Sequence, residues 1–83
     1  MTNVNKKEYK VLVNSLTGHY YTMIVLADSE NSVYYHCRAN GIPALLYKEI
    51  SEFDAKLDWY IKQNNLEKRK IINTDEVRVA NCN

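Results

Sequence analysis

Between His19 and Gln63 the spacing of apolar residues changes character once. Two aromatic-rich stretches flank the polar segment Asp28-Ser29-Glu30-Asn31-Ser32, a turn at Cys37-Arg38-Ala39-Asn40-Gly41 follows, and a third apolar run leads into a capped amphipathic helix. Alternation at period two suits a pleated sheet, and spacings of three and four suit a helix. The order predicts an α+β fold, an antiparallel sheet of four to five strands with one main helix packed on one face.

The first strand pattern runs from Tyr9 to Leu16, and Thr17-Gly18-His19 reads as a hairpin loop in which Gly18 is free to take positive φ. Tyr20 to Ala27 is the second strand, Asp28 to Ser32 a turn, and Val33 to Ala39 the third strand. Centring the second turn on Glu30 puts Tyr21, Met23, Val25, Ala27, Val33, Tyr35, Cys37 and Ala39 on one face. A three-residue first loop adds Tyr9, Val11 and Val13, whereas a two-residue loop would turn Lys10 and Asn14 inward. That apolar face is the expected core side. The opposite face carries Leu12, Asn14, Leu16, Tyr20, Thr22, Ile24, Leu26, Tyr34, His36 and Arg38. Its mixture of aromatic, apolar and hydrogen-bonding groups is what a partner-binding surface needs. Tyr20, Ile24, Leu26, Tyr34, His36 and Arg38 are the candidate contacts.

Residues 42–50 admit two readings. Leu46, Ile50, Phe53, Leu57 and Tyr60 recur at helical spacing, which suits one long helix with Pro43 in its first turn. Ser51-Glu52-Phe53-Asp54 looks instead like a fresh helix start, with Leu45-Leu46-Tyr47 as a short buried strand. The second reading, a strand at 44–50 and a helix at 52–65, is preferred. Phe53, Leu57, Tyr60 and Ile61 form its apolar stripe. Trp59 lies off that stripe, either as an anchor for a partner or beneath a C-terminal strand. Ile71 to Ala80 contains that last strand, expected at a sheet edge and open to pairing with a second copy as a homodimer.

Eighty-three residues bound the chain to a single domain, 1–83, with a polar segment at 1–7 that is expected to be frayed and disordered. Eleven basic against ten acidic residues give a net charge of +1, which excludes a strongly basic nucleic-acid binder while leaving room for a local patch. Met1 to Lys7 lacks the apolar core of a signal peptide, and no run approaches the roughly 18 apolar residues of a membrane span. A cytoplasmic protein is expected, with Cys37 and Cys82 as free thiols. Ten Asn, eight Lys and seven Tyr are the usage of an AT-rich gene, an association that points toward small phage or mobile-element proteins.

Over residues 10–65 the order of elements resembles that of WGR domains, small sheet-and-helix modules of poly(ADP-ribose) polymerases and of short bacterial proteins. His19-Tyr20-Tyr21 falls where that family has a basic-Phe-Tyr opening to its second strand, and His36-Cys37-Arg38 where it has Trp-Gly-Arg. Glu49-Ile50-Ser51, then Ala55 and Trp59, resembles the family's helix start, which implies a packing role for Trp59. His36 and Cys37 replace the signature Trp and Gly, so of the family's contacts to DNA ends and neighbouring domains the resemblance implies only those of Arg38.

Catalytic chemistry finds little footing. His36 and Cys37, adjacent on a strand, would point to opposite faces and could not act as base and nucleophile. The two His and two Cys lack metal-site spacing, and both glycines are isolated, so neither metal nor cofactor is expected. The expected role is that of a non-enzymatic binding module, an accessory regulator or inhibitor whose partner is a protein. The alternative is direct DNA or RNA binding through Arg38, Lys68, Arg69, Lys70, Lys6 and Lys7.

Overall fold

A computed structural model describes residues 6–80, Asp75 by its backbone alone. The chain runs β1 (Lys7–Asn14), β2 (Tyr20–Ala27), α1 (Glu30–Ala39), β3 (Ala44–Glu49), α2 (Ile50–Asn64), a short 3-10 turn (Lys68–Lys70) and β4 (Ile71–Val79). The fold is α+β. The four strands form one sheet in the order β3-β1-β2-β4. β1 is antiparallel to both β2 and β3, and β4 joins β2 in parallel.

The hairpin has the face assignment that alternation predicts, through a different register. Val11 lies opposite Met23 and Tyr9 opposite Val25, but the closing pair is Asn14 with Tyr20 and residues 15–19 form the loop. Shifting the register by two residues preserves which side each side chain takes. The loop is held by the Ser15 N–H donating to the His19 carbonyl (3.0 Å) and by the Thr17 N–H donating to Ser15 Oγ (3.1 Å). Gly18 takes φ +88 there.

The segment expected as a third strand, Val33 to Ala39, is helix α1. Ser29 caps it, its Oγ accepting from the Ser32 N–H at 3.3 Å, and Glu30 sits in the first turn where the helix dipole favours an acid. Val33 and Cys37, one turn apart, are the buried residues. The end is a Schellman arrangement: the Ile42 N–H donates to the Cys37 carbonyl (2.8 Å) and the Gly41 N–H to the Arg38 carbonyl (3.3 Å), with Gly41 at φ +65. The strand at 44–50 and the following helix form much as expected. α2 begins at Ile50, so Ser51 is inside the helix rather than its cap. Asn65, at φ 54, stops it.

Topology explains why both sheet faces are covered. β2 to β3 is a parallel crossover that passes β1 in one direction, and β3 to β4 passes β1 and β2 in the other. Crossovers of one hand, run in opposite directions, place their helices on opposite faces. α1 accordingly buries Val33 and Cys37 with Tyr9, Val11, Val13, Met23, Val25 and Ala27. α2 buries Phe53 and Leu57 with Leu12 and Leu46 on the other side. The expected division into one dry and one wet face is therefore corrected: Leu12 and Thr22 belong to the outer set of the sequence reading, yet both are buried.

At the β2–β4 seam the register jumps after Thr22 and Asn73, leaving residues 74–75 as a bulge. Buried Thr22 is satisfied there. Its hydroxyl donates to Asn73 Oδ1 (2.9 Å), and its carbonyl accepts from the Thr74 hydroxyl. Residues 1–5 and Cys82 lie outside the described residues. Lys6 and Lys7, expected to fray, are tied in: Lys6 Nζ donates to the Ala80 carbonyl (3.2 Å) and pairs with Asp28 (3.6 Å), and Lys7 pairs with Glu49 (3.7 Å). Cys37 is a free, buried thiol.

Candidate protein-binding surface

Because Val33 and Cys37 point at the sheet, Tyr34, Tyr35 and Arg38 of α1 are left exposed. Tyr34 and Arg38, one turn apart, share a flank of the helix, and Arg38 Nη1 donates to Tyr34 Oη at 2.9 Å. The Tyr34 ring meets Tyr35 edge-on, with centroids 5.2 Å apart and planes at 70°. Both tyrosines are exposed.

Beneath the Tyr34–Arg38 pair is a cleft of about 310 Å³, walled by α1, the Ile42-Pro43-Ala44 segment and Tyr47 of β3. Its floor is apolar, and its mouth offers a guanidinium and a phenol hydroxyl. Burial raises the Tyr47 phenol pKa, with Glu30 adding to the rise. Burial likewise raises the Cys37 thiol, against a smaller lowering by Arg78. Burial thus favours the protonated thiol, which packs in the wall of the cleft. The arrangement suits an apolar or aromatic side chain seated beside a carboxylate or carbonyl that Arg38 can bond.

The six expected contacts do not share one surface. Tyr34 and Arg38 stand together on α1. His36 is on the same helix but half-buried, and its Nε2 is buried with no hydrogen-bond partner among the described residues. Ile24 and Leu26 are half-buried on the opposite face of the sheet, beside Val77 and Val79 of β4. Tyr20 packs against the cluster under α2. The grouping failed because it rested on the third strand, whose place α1 takes. Tyr47, Ile42 and Pro43 were not among the expected contacts, and the helix-stop pattern Gly41-Ile42-Pro43 was the signal that placed them.

The basic residues are dispersed as well. Lys6 and Lys7 are at the start of β1, beside Ala27, whereas Lys68–Lys70 lead into β4 beside Tyr20, at the other end of β2. Lys68 pairs with Asp58 (4.0 Å) and Arg69 with Glu67 (2.9 Å). A groove of about 440 Å³ between α2 and β4 has both signs on its rim, Lys10 and Lys68 with Asp54 and Asp58. Trp59 is half exposed, with Lys56 Nζ 4.4 Å from its ring centre, so neither the C-terminal strand nor the packing role implied by the family resemblance covers it. Among the described residues no group of three or more His, Cys, Asp or Glu is placed to hold a metal ion. Among the described residues no helix is long and apolar enough to cross a membrane.

No protein-family model matches this chain, and no curated protein or solved structure matches it either.

Proposed function

We propose that the protein is a non-catalytic binding module, an accessory regulator or inhibitor of phage or mobile-element type that acts in the host cytoplasm by occupying a surface of a protein partner. The observation that carries this reading is the Tyr34–Arg38 pair poised over the apolar cleft between α1 and β3. Aromatic and arginine side chains at the rim of a desolvated pocket are the usual carriers of binding energy. The likeness to WGR modules contributes Arg38 alone.

Charge favours this reading over nucleic-acid binding. Lys6, Lys7, Lys68 and Arg69 each face an acid of the same chain, and they lie at two ends of the sheet. A phosphate backbone is bound by a continuous, unneutralised stripe.

The test is binding of the purified partner, recovered from a nuclease-treated host lysate. Tyr34→Ala and Arg38→Ala are each expected to weaken it at least tenfold, which is about 1.4 kcal/mol, with the melting temperature unchanged because both side chains are exposed. Ile24→Ala is expected to leave affinity intact. Full affinity in both α1 variants would remove the reading. A salt-sensitive mobility shift with DNA or RNA would replace it with the alternative.

A further inference from the structure

The two edges of the sheet are built differently. β3 is six residues long, and Lys48 and Glu49 at its end are engaged by Glu30 (3.4 Å) and Lys7 (3.7 Å). A short edge whose terminal charges are held by other elements resists pairing with another chain. β4 is nine residues long, is bonded on one side only among the described residues, and carries Asp75, Glu76 and Arg78 but neither Pro nor Lys. Val77 is 58% and Val79 49% exposed. On the same face Ile24 and Leu26 of β2 lie beside them and extend the patch. The α2 core is seated on Leu12 and Leu46, over β1 and β3, away from this corner.

We infer that β4 is the seam of a symmetric homodimer, two copies of the sheet joined edge to edge and antiparallel with Val77 on the two-fold axis. In such a seam one residue faces its own copy. Glu76 or Arg78 on the axis would set like charges against each other, which destabilises a cross-strand pair. Val77 on the axis sets valine against valine on one face. On the other it sets Glu76 opposite Arg78 of the second copy, twice. These two side chains already meet within the strand, Arg78 Nε to Glu76 Oε2 at 2.8 Å, so the seam brings together four alternating charges. With Val77 on the axis Val79 falls opposite position 75 of the second copy, so the bulge at 74–75 confines the ladder to Glu76, Val77 and Arg78 of each copy. A seam this short belongs with small interfaces, and dissociation on the order of micromolar is expected. The inference stands apart from the α1 reading, since the edge and the α1 cleft are separate surfaces.

Sedimentation velocity of the full chain across about 1–200 μM tests it, at concentrations chosen to bracket a micromolar constant. The wild-type chain is expected to pass from monomer to dimer. Val77→Lys and Glu76→Arg are expected to stay monomeric with an unchanged circular dichroism spectrum, and Glu76→Arg combined with Arg78→Glu is expected to dimerise again. In a Cys82→Ser background, Val77→Cys is expected to form a disulfide-linked dimer on mild oxidation, since directly opposed strand residues lie at disulfide distance. Ile72→Cys is expected not to. A wild-type chain monomeric throughout the range, a dimer indifferent to Val77→Lys, or a folded double-swap variant that stays monomeric would each overturn the seam. Capture of some other extended segment on β4 by a monomeric chain is the first of these outcomes.

Discussion

The thiol of Cys37 and the phenols of Tyr9 and Tyr47 are held in their neutral forms mainly by burial. Each therefore has a folded-state pKa above its unfolded value. The stability tied to them is fully present below the unfolded values, about 9 for the thiol and about 10 for the phenols, and is lost as pH rises through the raised ones. Melting temperature is expected to be level with respect to these groups near neutrality and to fall from about pH 9 upward, with Tyr9→Phe blunting the part above pH 10. Thermal melts from pH 7 to 11 check this, and a flat profile to pH 11 would contradict it. Reactivity follows the same physics. In a Cys82→Ser background, Cys37 should resist a thiol reagent in the native protein and react at the free-thiol rate in denaturant.

At the scale of elements, α1 marks the boundary of what could be read from the chain. Val33, Tyr35, Cys37 and Ala39 alternate like a buried strand, while Val33 and Cys37 are equally one helical turn apart. Periodicity over seven residues does not separate the two. The deciding signals are at the ends: Ser29 before Glu30 at the start, Gly41 and Pro43 at the finish. The β1–β2 hairpin, the strand at Ala44–Glu49, α2 and the edge strand β4 were legible because their patterns are long or bounded by helix-start residues. The candidate site was legible only in Tyr34 and Arg38. Their neighbours in the fold depend on a crossover that alternation alone does not specify. The importance of the ends is measurable by chemical denaturation. Ser29→Ala should cost about 1 kcal/mol through loss of the cap. Gly41→Ala should cost a similar amount, about 1 kcal/mol, from the positive φ alone, since a Cβ at that position meets nothing within 4 Å. No measurable effect of either would mean that tertiary packing, not capping, sets where α1 begins and ends.

For the molecule as a whole, the sheet divides the interior into two half-cores, one around Val11, Met23 and Val25 beneath α1, the other around Leu12, Leu46 and Phe53 beneath α2. β1 contributes to both from alternate residues and pairs on both sides, so it is the element neither half can lose. The hydrogen bond from Lys6 Nζ to the Ala80 carbonyl has a separate implication for how the chain is threaded. It brings the start of β1 and the end of β4 within one lysine side chain of each other. Covalent joining there by a linker of about five residues, spanning up to roughly 17 Å, with new ends opened beside fully exposed Leu16, should give a circular permutant that folds to the same sheet and melts cooperatively. Its near-ultraviolet spectrum, to which the packed Tyr9 and Tyr47 contribute, is the readout. The linear order of the strands is then one of several ways to string the same arrangement, and what must be kept is β1 in the middle.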